Sequence, residues 1–388
     1  MRKVQRIALL MGQNFGFCRG VLRGIHAYSI DRPNWVFHDV EPSVSIVEPL
    51  EEWEPDGVIV HLYDQELLAR LKTLKTPIVS VTNTLSDATF PLVIADDRTI
   101  GCMAANHFLD RSFTRFGYFG SDRTGFSKLR EIGFRERIEA AGYKVTSCYA
   151  EFLPRPPASS SWVSTDQIVL DWLTWLEKPA AILASNDVPA RHLTKICLQA
   201  GYRVPDDLAI LGVDNDELEC LLSRPPLSSV QMPCEKIGYE AAKLLDQIMD
   251  GATPPKKPTM IPPTKIVTRQ STDIVAIDDP DVSAAVAYIR EHIADHLNVA
   301  SVTEAISLSR RKLERKFKKL LGRTVLEEIQ NARIEQAKRL LLETDFQMGA
   351  VAKRSGFGTS GRMTIVFSEK TGMTPTEFRR RNMLQQQG

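Results

Sequence analysis

The sequence predicts an α/β body of two lobes with parallel sheets, followed by an all-α domain built from two helix-turn-helix units. Three observations carry this expectation. Up to a Pro-rich stretch at 253–263, short apolar runs alternate with segments of helical period. Beyond Pro280 the pattern is helical throughout and broken by glycines. The charge switches at the same place: from Asp281 onward there are 19 Lys and Arg against 12 Asp and Glu, while the preceding residues hold 30 against 36. The formal net charge of +1 hides this asymmetry. A basic terminal domain on an acidic body argues for a polyanionic partner of that domain alone. A chain of 388 residues has room for two or three domains.

Strand candidates are residues 6–11, 35–40, 57–63, 77–82, 92–96, 116–120, 144–149, 181–184, 208–213 and 228–232. Several are near-continuous Val, Ile and Leu runs, the composition of parallel strands buried on both faces. Amphipathic segments lie between them, at 21–30, 100–109, 129–141, 168–176 and 234–249. Such alternation argues for a doubly wound fold, and ten strands exceed one small domain, hence two lobes. Residues 265–269 follow the prolines as a last edge strand. Asp278-Asp279-Pro280-Asp281 then reads as a helix start, with acidic groups at the positive end and Pro early. The boundary falls near Ile277, giving domains 1–276 and 277–388. No internal repeat is evident. Gln385-Gln386-Gln387 reads as a disordered tail.

Composition excludes several classes. The six cysteines (Cys18, Cys102, Cys148, Cys197, Cys220, Cys234) form no CxxC pair and read as small apolar fillers in a reducing compartment. The apolar run after Arg2, Lys3 and Arg6 spans only residues 7–11, too short for a secretory signal. No apolar stretch is long enough to span a membrane, so a cytoplasmic protein without membrane contact is expected. His292 and His296 sit i, i+4 on a helix but lack a third ligand, so no metal is expected. No nucleophile elbow, Walker lysine or GxGxxG is present, so no enzyme and no cofactor are expected.

The basic domain carries the sharpest patterns. Ser301-Val302-Thr303-Glu304 reads as a capping box, with Ser301 as N-cap. Ser309 opens a helix over 310–321, stopped by Gly322. Leu313, Phe317 and Leu320 fall on one face; Arg310, Arg311, Arg315 and Lys318 lie off it. Two short helices at a tight turn, the second arginine-rich, are a helix-turn-helix build. A linker helix over 326–342 follows, with Ile329, Arg333, Ala337, Leu340 and Leu341 as its inner stripe. The pattern then returns: a helix near 348–354, a turn at 355–358 and a helix from Ser360 to about Lys370. The two units span about 298–321 and 347–371.

Ala337-Lys338-Arg339-Leu340-Leu341-Leu342, Ser355-Gly356-Phe357, the run from Phe367 to Pro375 and Phe378-Arg379 resemble the signature of AraC-type activators. The resemblance implies two units entering successive major-groove segments of double-stranded DNA. By motif position Arg311, Glu314 and Arg315 face bases from the first recognition helix. Arg binds guanine O6 and N7, and Glu accepts from cytosine N4. Arg310 and Lys318 join the DNA-binding set. Ser360, Gly361, Arg362 and Ile365 take the base-facing slots of the second. That set is poor in base-reading groups, so the first unit is expected to supply most discrimination and the second to hold phosphate.

The body resembles LacI-type sugar-sensing domains in Gly212-Val213-Asp214-Asn215, Pro226-Leu227-Ser228-Ser229-Val230, Gly238-Tyr239-Glu240-Ala241-Ala242, Ser185-Asn186-Asp187, Arg130-Glu131-Ile132-Gly133-Phe134 and Asp96-Asp97. This implies an α/β two-lobe periplasmic-binding-protein-like sensor with its ligand in the cleft. The order of sensor first and DNA reader last resembles the activators of xylose operons in enteric bacteria. Arg191-His192, Asp214-Asn215-Asp216-Glu217-Leu218 and Leu222-Ser223-Arg224 match, and agreement is weakest at 12–18 and 123–128. Sugar hydroxyls pair with carboxylates, Arg and Asn, and C–H faces pack on aromatic rings. Candidate ligand residues are Asp214 foremost, Arg19, Arg130, Asn186 and Asp187, then Asp97 and Phe17. A helix N-cap is the competing role for Asp214 and for Asp187, and a surface salt bridge for Arg19 and Arg130.

The expectation is a sugar-responsive activator of a xylose or other pentose operon. Its implied partners are double-stranded DNA, a monosaccharide effector (D-xylose first), a second copy in a homodimer, and RNA polymerase. Two rivals stand beside it: the same regulator sensing another sugar or none, and an enzyme or transport-type binding protein fused to a DNA anchor.

Overall fold

A computed structural model describes residues 4–85, 89–150, 162–274, 279–295 and 297–386. The chain divides into two compact units, Met1–Ala276 and Ile277–Gly388. The boundary residue Ile277 and the excluded metal candidate His296 lie outside the described residues.

In the first unit β1 (Gln5–Leu10), α1 (Gly16–Ser29), β2 (Trp35–Val40), α2 (Val47–Trp53), β3 (Gly57–Val60), α3 (Gln65–Leu71), β4 (Ile78–Ser80) and β5 (Val93–Ala95) follow in order. They form a parallel sheet of order β2-β1-β3-β4, with β5 joined to it through a bridge from Leu92 to Ser80. Next come α4 (Asp97–Leu109), β6 (Phe116–Gly120), α5 (Gly125–Ala140), β7 (Val145–Tyr149), α6 (Trp162–Trp175), β8 (Ala180–Ala184), α7 (Asp187–Gln199), β9 (Leu208–Asp214), α8 (Glu217–Leu222) and β10 (Ser228–Gln231). The unit ends with α9 (Cys234–Met249), β11 (Thr259–Ile261) and β12 (Lys265–Val267). The second sheet has order β12-β10-β9-β8-β6-β7, parallel except for its edge strand β12. The central strands β3 and β8 are buried along their whole length, which is why their sequences read as unbroken apolar runs. The Pro-rich stretch hides a strand the sequence does not announce: β11 pairs with β5.

Helix α9 packs on α1 and α4 packs on α5, so the chain crosses between lobes three times. The crossings lie at Asp96, at Met232-Pro233 and at 262–264. Glycines set how close α4 and α5 come. A Cβ on Gly101 would sit 2.0 Å from Arg130 O, and one on Gly133 2.0 Å from Arg98 O. Without side chains there, the start of α4 and the second turn of α5 meet directly.

The second unit is helical: α10 (Pro280–Glu291), α11 (Val299–Ala305), α12 (Arg310–Leu321), α13 (Val325–Glu343), α14 (Met348–Arg354), α15 (Ser360–Thr371) and α16 (Pro375–Gln386). Asp279 caps α10, accepting from Asp281 N and Val282 N. The capping box on α11 is shifted from its expected place. Asn298 is the N-cap, and Ser301 stands third in the helix and closes the box. Leu320, expected inward, is 45% exposed, and Leu321 packs on the core instead. Gln385 and Gln386, expected to be disordered, end α16.

A repeat does exist, contrary to the sequence reading. Leu313 and Phe317, buried in the first core, correspond to Met363 and Phe367 in the second, each 50 positions on. Gly322 and Gly372 end α12 and α15 with φ of +68° and +75°. Thr324 with Glu327, and Thr374 with Glu377, then make the same reciprocal cap. Helix α13 runs between the two cores. At Gly356, φ +77°, a Cβ would lie 1.9 Å from Ile293 O. Only glycine lets that turn close on the first core.

Candidate effector cleft and nucleic-acid interface

Strand β9 ends in an unusual pair. Asp214 has φ +115° and Asn215 +55°. Non-glycine residues in this region cost of order 1–3 kcal/mol each and persist only when their surroundings fix them. The competing role of helix cap belongs to Asp216, which accepts from Leu218 N (3.1 Å). No hydrogen bond is made by the Asp214 carboxylate among the described residues, so it remains an available acceptor. Burial pushes its pKa up to about 7; Arg130 pulls it down, and Asp216 and Asp97 push it further up. Asn186, two residues past β8, stands at the N-cap position of α7 without capping it, and its Oδ1 is buried without a partner.

Arg130 is buried rather than a surface ion-pair member. Its Nε donates to Asp97 Oδ1 (2.9 Å), its Nη1 to Ser185 O, and its Nη2 reaches Met232 Sδ (3.8 Å). Asp97 also accepts from Asn83 Nδ2 (3.1 Å). Burial opposes the guanidinium charge, but Asp97 and Asp214 sustain it. The same burial raises the Asp97 carboxyl, against the pull of Arg130. Arg130 thereby ties two interlobe crossings, at Asp97 and Met232, to the end of β8.

Asp187 departs from its expected role. Its oxygens accept from Ser229 Oγ (2.6 Å), Asp216 N (2.8 Å) and Cys220 Sγ (3.6 Å). Burial, and the Asp214 charge beside it, raise its carboxyl. With these partners it supports the loop that carries Asp214 and has little left to offer a ligand. Arg19 donates to Gln13 O (2.9 Å) and stands 3.7 Å from the Asp216 carboxylate. Gly16 N donates to the same carboxylate (2.9 Å), which joins the two lobes.

Phe17 lies in an aromatic cluster that the sequence shows only in part. Its ring centroid is 5.6 Å from His61, with Phe15 at 6.0 Å and Tyr63 at 5.7 Å from the same imidazole. Burial pushes His61 down to about 4, so the ring is neutral at pH 7. Its Nδ1 is buried without a partner. The available signal was position: His61 follows β3 as Asp214 closes β9.

On the basic unit, α12 buries Leu313 and Phe317 and exposes Arg310, Arg311, Arg315 and Lys318. Glu314 departs from its expected base-facing role. It is half-buried and accepts from Val325 N (3.2 Å), serving the positive end of α13. Lys318 donates to Gly322 O (3.1 Å) across the helix end. Lys316 binds Asp279 and Asp281, both at 2.7 Å, and fastens α12 to α10. On α15, Ser360, Gly361, Arg362 and Ile365 are exposed, while Met363 is buried in the position facing the core. Gly361 has nothing near its Cβ position, and Ile365 is 62% exposed.

Comparison with known proteins follows the same division. Residues 6–96 match the XylR N-terminal domain, 105–272 the periplasmic binding protein-like domain, and 302–381 a helix-turn-helix domain. The xylose operon regulatory protein of Escherichia coli K12 is 29% identical over 385 residues, covering 97% of each chain. This chain is a transcription regulator. The regulator is likewise 29% identical to the xylose operon regulatory protein of Haemophilus influenzae, over 96% of this chain and 98% of that one. A solved xylose-binding transcription activator superposes with TM-score 0.81 at 28% identity, covering 98% of both chains. The regulator thus carries a helix-turn-helix domain after a periplasmic binding protein-like domain. Among the described residues no helix is long and apolar enough to cross a membrane.

Proposed function

We propose that the regulator activates a xylose operon in response to D-xylose held between its lobes. The unpartnered Asp214 carboxylate carries this reading. An ionised carboxylate accepts two vicinal hydroxyls, Asn186 and Arg130 stand beside it, and the rings at Phe17 and His61 suit a sugar's C–H face. The names of the full-length relatives support D-xylose as the sugar. Arg310, Arg311, Arg315 and Lys318 of α12 meet DNA, with Ser360, Gly361, Arg362 and Ile365 of α15. The regulator works as a homodimer that recruits RNA polymerase, in the compartment that holds the DNA.

A thermal-shift screen against pentoses and hexoses tests the sugar. At a hundredfold excess over Kd, D-xylose is expected to stabilise the chain by about 2.7 kcal/mol. Asp214→Ala removes two charge-assisted bonds worth about 1.5–3 kcal/mol each, so the affinity is expected to fall by roughly a hundredfold to ten-thousandfold. A shift with another sugar and none with D-xylose reassigns the effector, and an unchanged affinity in Asp214→Ala removes that residue from the site.

A further inference from the structure

The last described turn of the sensor, Gln270–Thr272, is fastened from several sides. Ser271 Oγ donates to Ile210 O in β9 (2.6 Å) and accepts from Ser228 N (2.8 Å). Thr272 Oγ1 donates to Ser228 Oγ (2.8 Å) and meets His107 Nε2 (2.8 Å). Thr272 O accepts from Arg111 Nε (3.0 Å). After Ile274 the sequence runs through 275–278 into the DNA-reading unit.

Arg269 precedes this turn, and its fork reaches back to the cleft. Nη1 donates to Leu227 O (2.8 Å) and Nη2 to Asn215 Oδ1 (2.8 Å). Asn215 is the second of the two left-handed residues that end β9, directly after Asp214. Its N donates to Ser229 Oγ (2.9 Å), which in turn donates to Asp187. The Arg269 backbone is held on both sides by Ser228: its N donates to Ser228 Oγ (2.8 Å), and its carbonyl accepts from it (2.9 Å).

We propose that the Arg269–Asn215 hydrogen bond is a clasp that couples the effector acceptor Asp214 to the exit of the sensor. The proposal rests on the effector reading given above. A backbone pair kept out of its preferred region responds to any change in the partners of its side chains. When hydroxyls engage Asp214, the Asp214–Asn215 peptide settles differently, and Asn215 Oδ1 moves with it. The rigid, pre-organised guanidinium transmits that movement, because its second donor is fixed to Leu227. Ser228 holds both the Arg269 backbone and Thr272, so the shift reaches the exit turn. Arg269 acts here as a positioning residue and does not touch the ligand.

Hydrogen exchange on the full chain tests the clasp. Asn215→Gly removes the Oδ1 acceptor, and glycine tolerates φ +55°. Without sugar, it is expected to speed exchange at Ser271 and Ile274 about tenfold by local opening. With saturating D-xylose, the wild-type chain is expected to protect these amides further. Asn215→Gly and Arg269→Lys are expected to bind the sugar and lose that added protection. Sugar binding with an intact exit response in both variants overturns the clasp. If the wild-type chain does not bind D-xylose, the effector reading falls by itself. Unchanged exchange in sugar-free Asn215→Gly then overturns the clasp separately.

Discussion

Asp214 sits where burial makes its charge costly. Its pKa of about 7, against an ordinary 3.8, means the folded chain keeps a proton that the unfolded chain releases. Its contribution to stability is therefore full below pH 4 and lost as the pH climbs towards 7. In the proposed complex sugar hydroxyls donate to the ionised form, so binding would release this proton at lower pH. The affinity for D-xylose is expected to fall by up to about tenfold per pH unit below pH 7 and to level off above it. Calorimetry from pH 5.5 to 8.5 would check this, and Asp214→Asn should flatten the profile. The position of Asp214 was legible because it closes the buried apolar run of β9. His61 ends a comparable run, but a lone histidine gives no pattern until the fold brings Phe15, Phe17 and Tyr63 around it. Asp187 misled because nothing in Ser185-Asn186-Asp187 shows that Ser229 and the Asp216 backbone, distant in sequence, consume its oxygens.

The two recognition helices are built on one plan and present different chemistry. α12 exposes two arginines one turn apart, Arg311 and Arg315, while α15 exposes Gly361, Arg362 and Ile365. Arginine reads guanine bidentately, and an exposed isoleucine can at most meet a thymine methyl. Arg315→Ala is therefore expected to relax base preference at one position by about 1–3 kcal/mol, with Arg362→Ala weakening binding evenly across sequences. Binding-site selection on both variants checks this, and equal loss of discrimination would contradict it. The caps offer a second test. Thr324→Ala removes one half of a reciprocal cap and is expected to cost about 1 kcal/mol, read as a lower midpoint of denaturant unfolding. The 50-residue repeat stayed hidden because its matching positions, such as Phe317 and Phe367 or Gly322 and Gly372, are scattered among unlike residues. Ser301 drew attention from the true cap because Ser-x-x-Glu is a common pattern, whereas here Asn298 opens the helix. Glu314 faced the wrong way because helix spacing alone did not show that α13 begins beside it.

For the whole molecule, the two-unit architecture was readable because charge, periodicity and the Pro-rich break all change near one place. The three crossings between lobes were not readable, because β11 hides among prolines and α9 returns to the first lobe only in the fold. The proposed function requires the cleft around Asp214 and the arginine face of α12 to be energetically linked. A ligand shifts such an equilibrium only by binding the two states unequally, and the coupling acts equally in both directions. The direct measurement is the affinity of the full-length chain for a selected DNA site, with and without saturating D-xylose, alongside the sugar affinity with and without that DNA. D-xylose is expected to change DNA affinity by about 5- to 150-fold, and DNA to change sugar affinity by the same factor. Binding of both ligands with neither altering the other would contradict it.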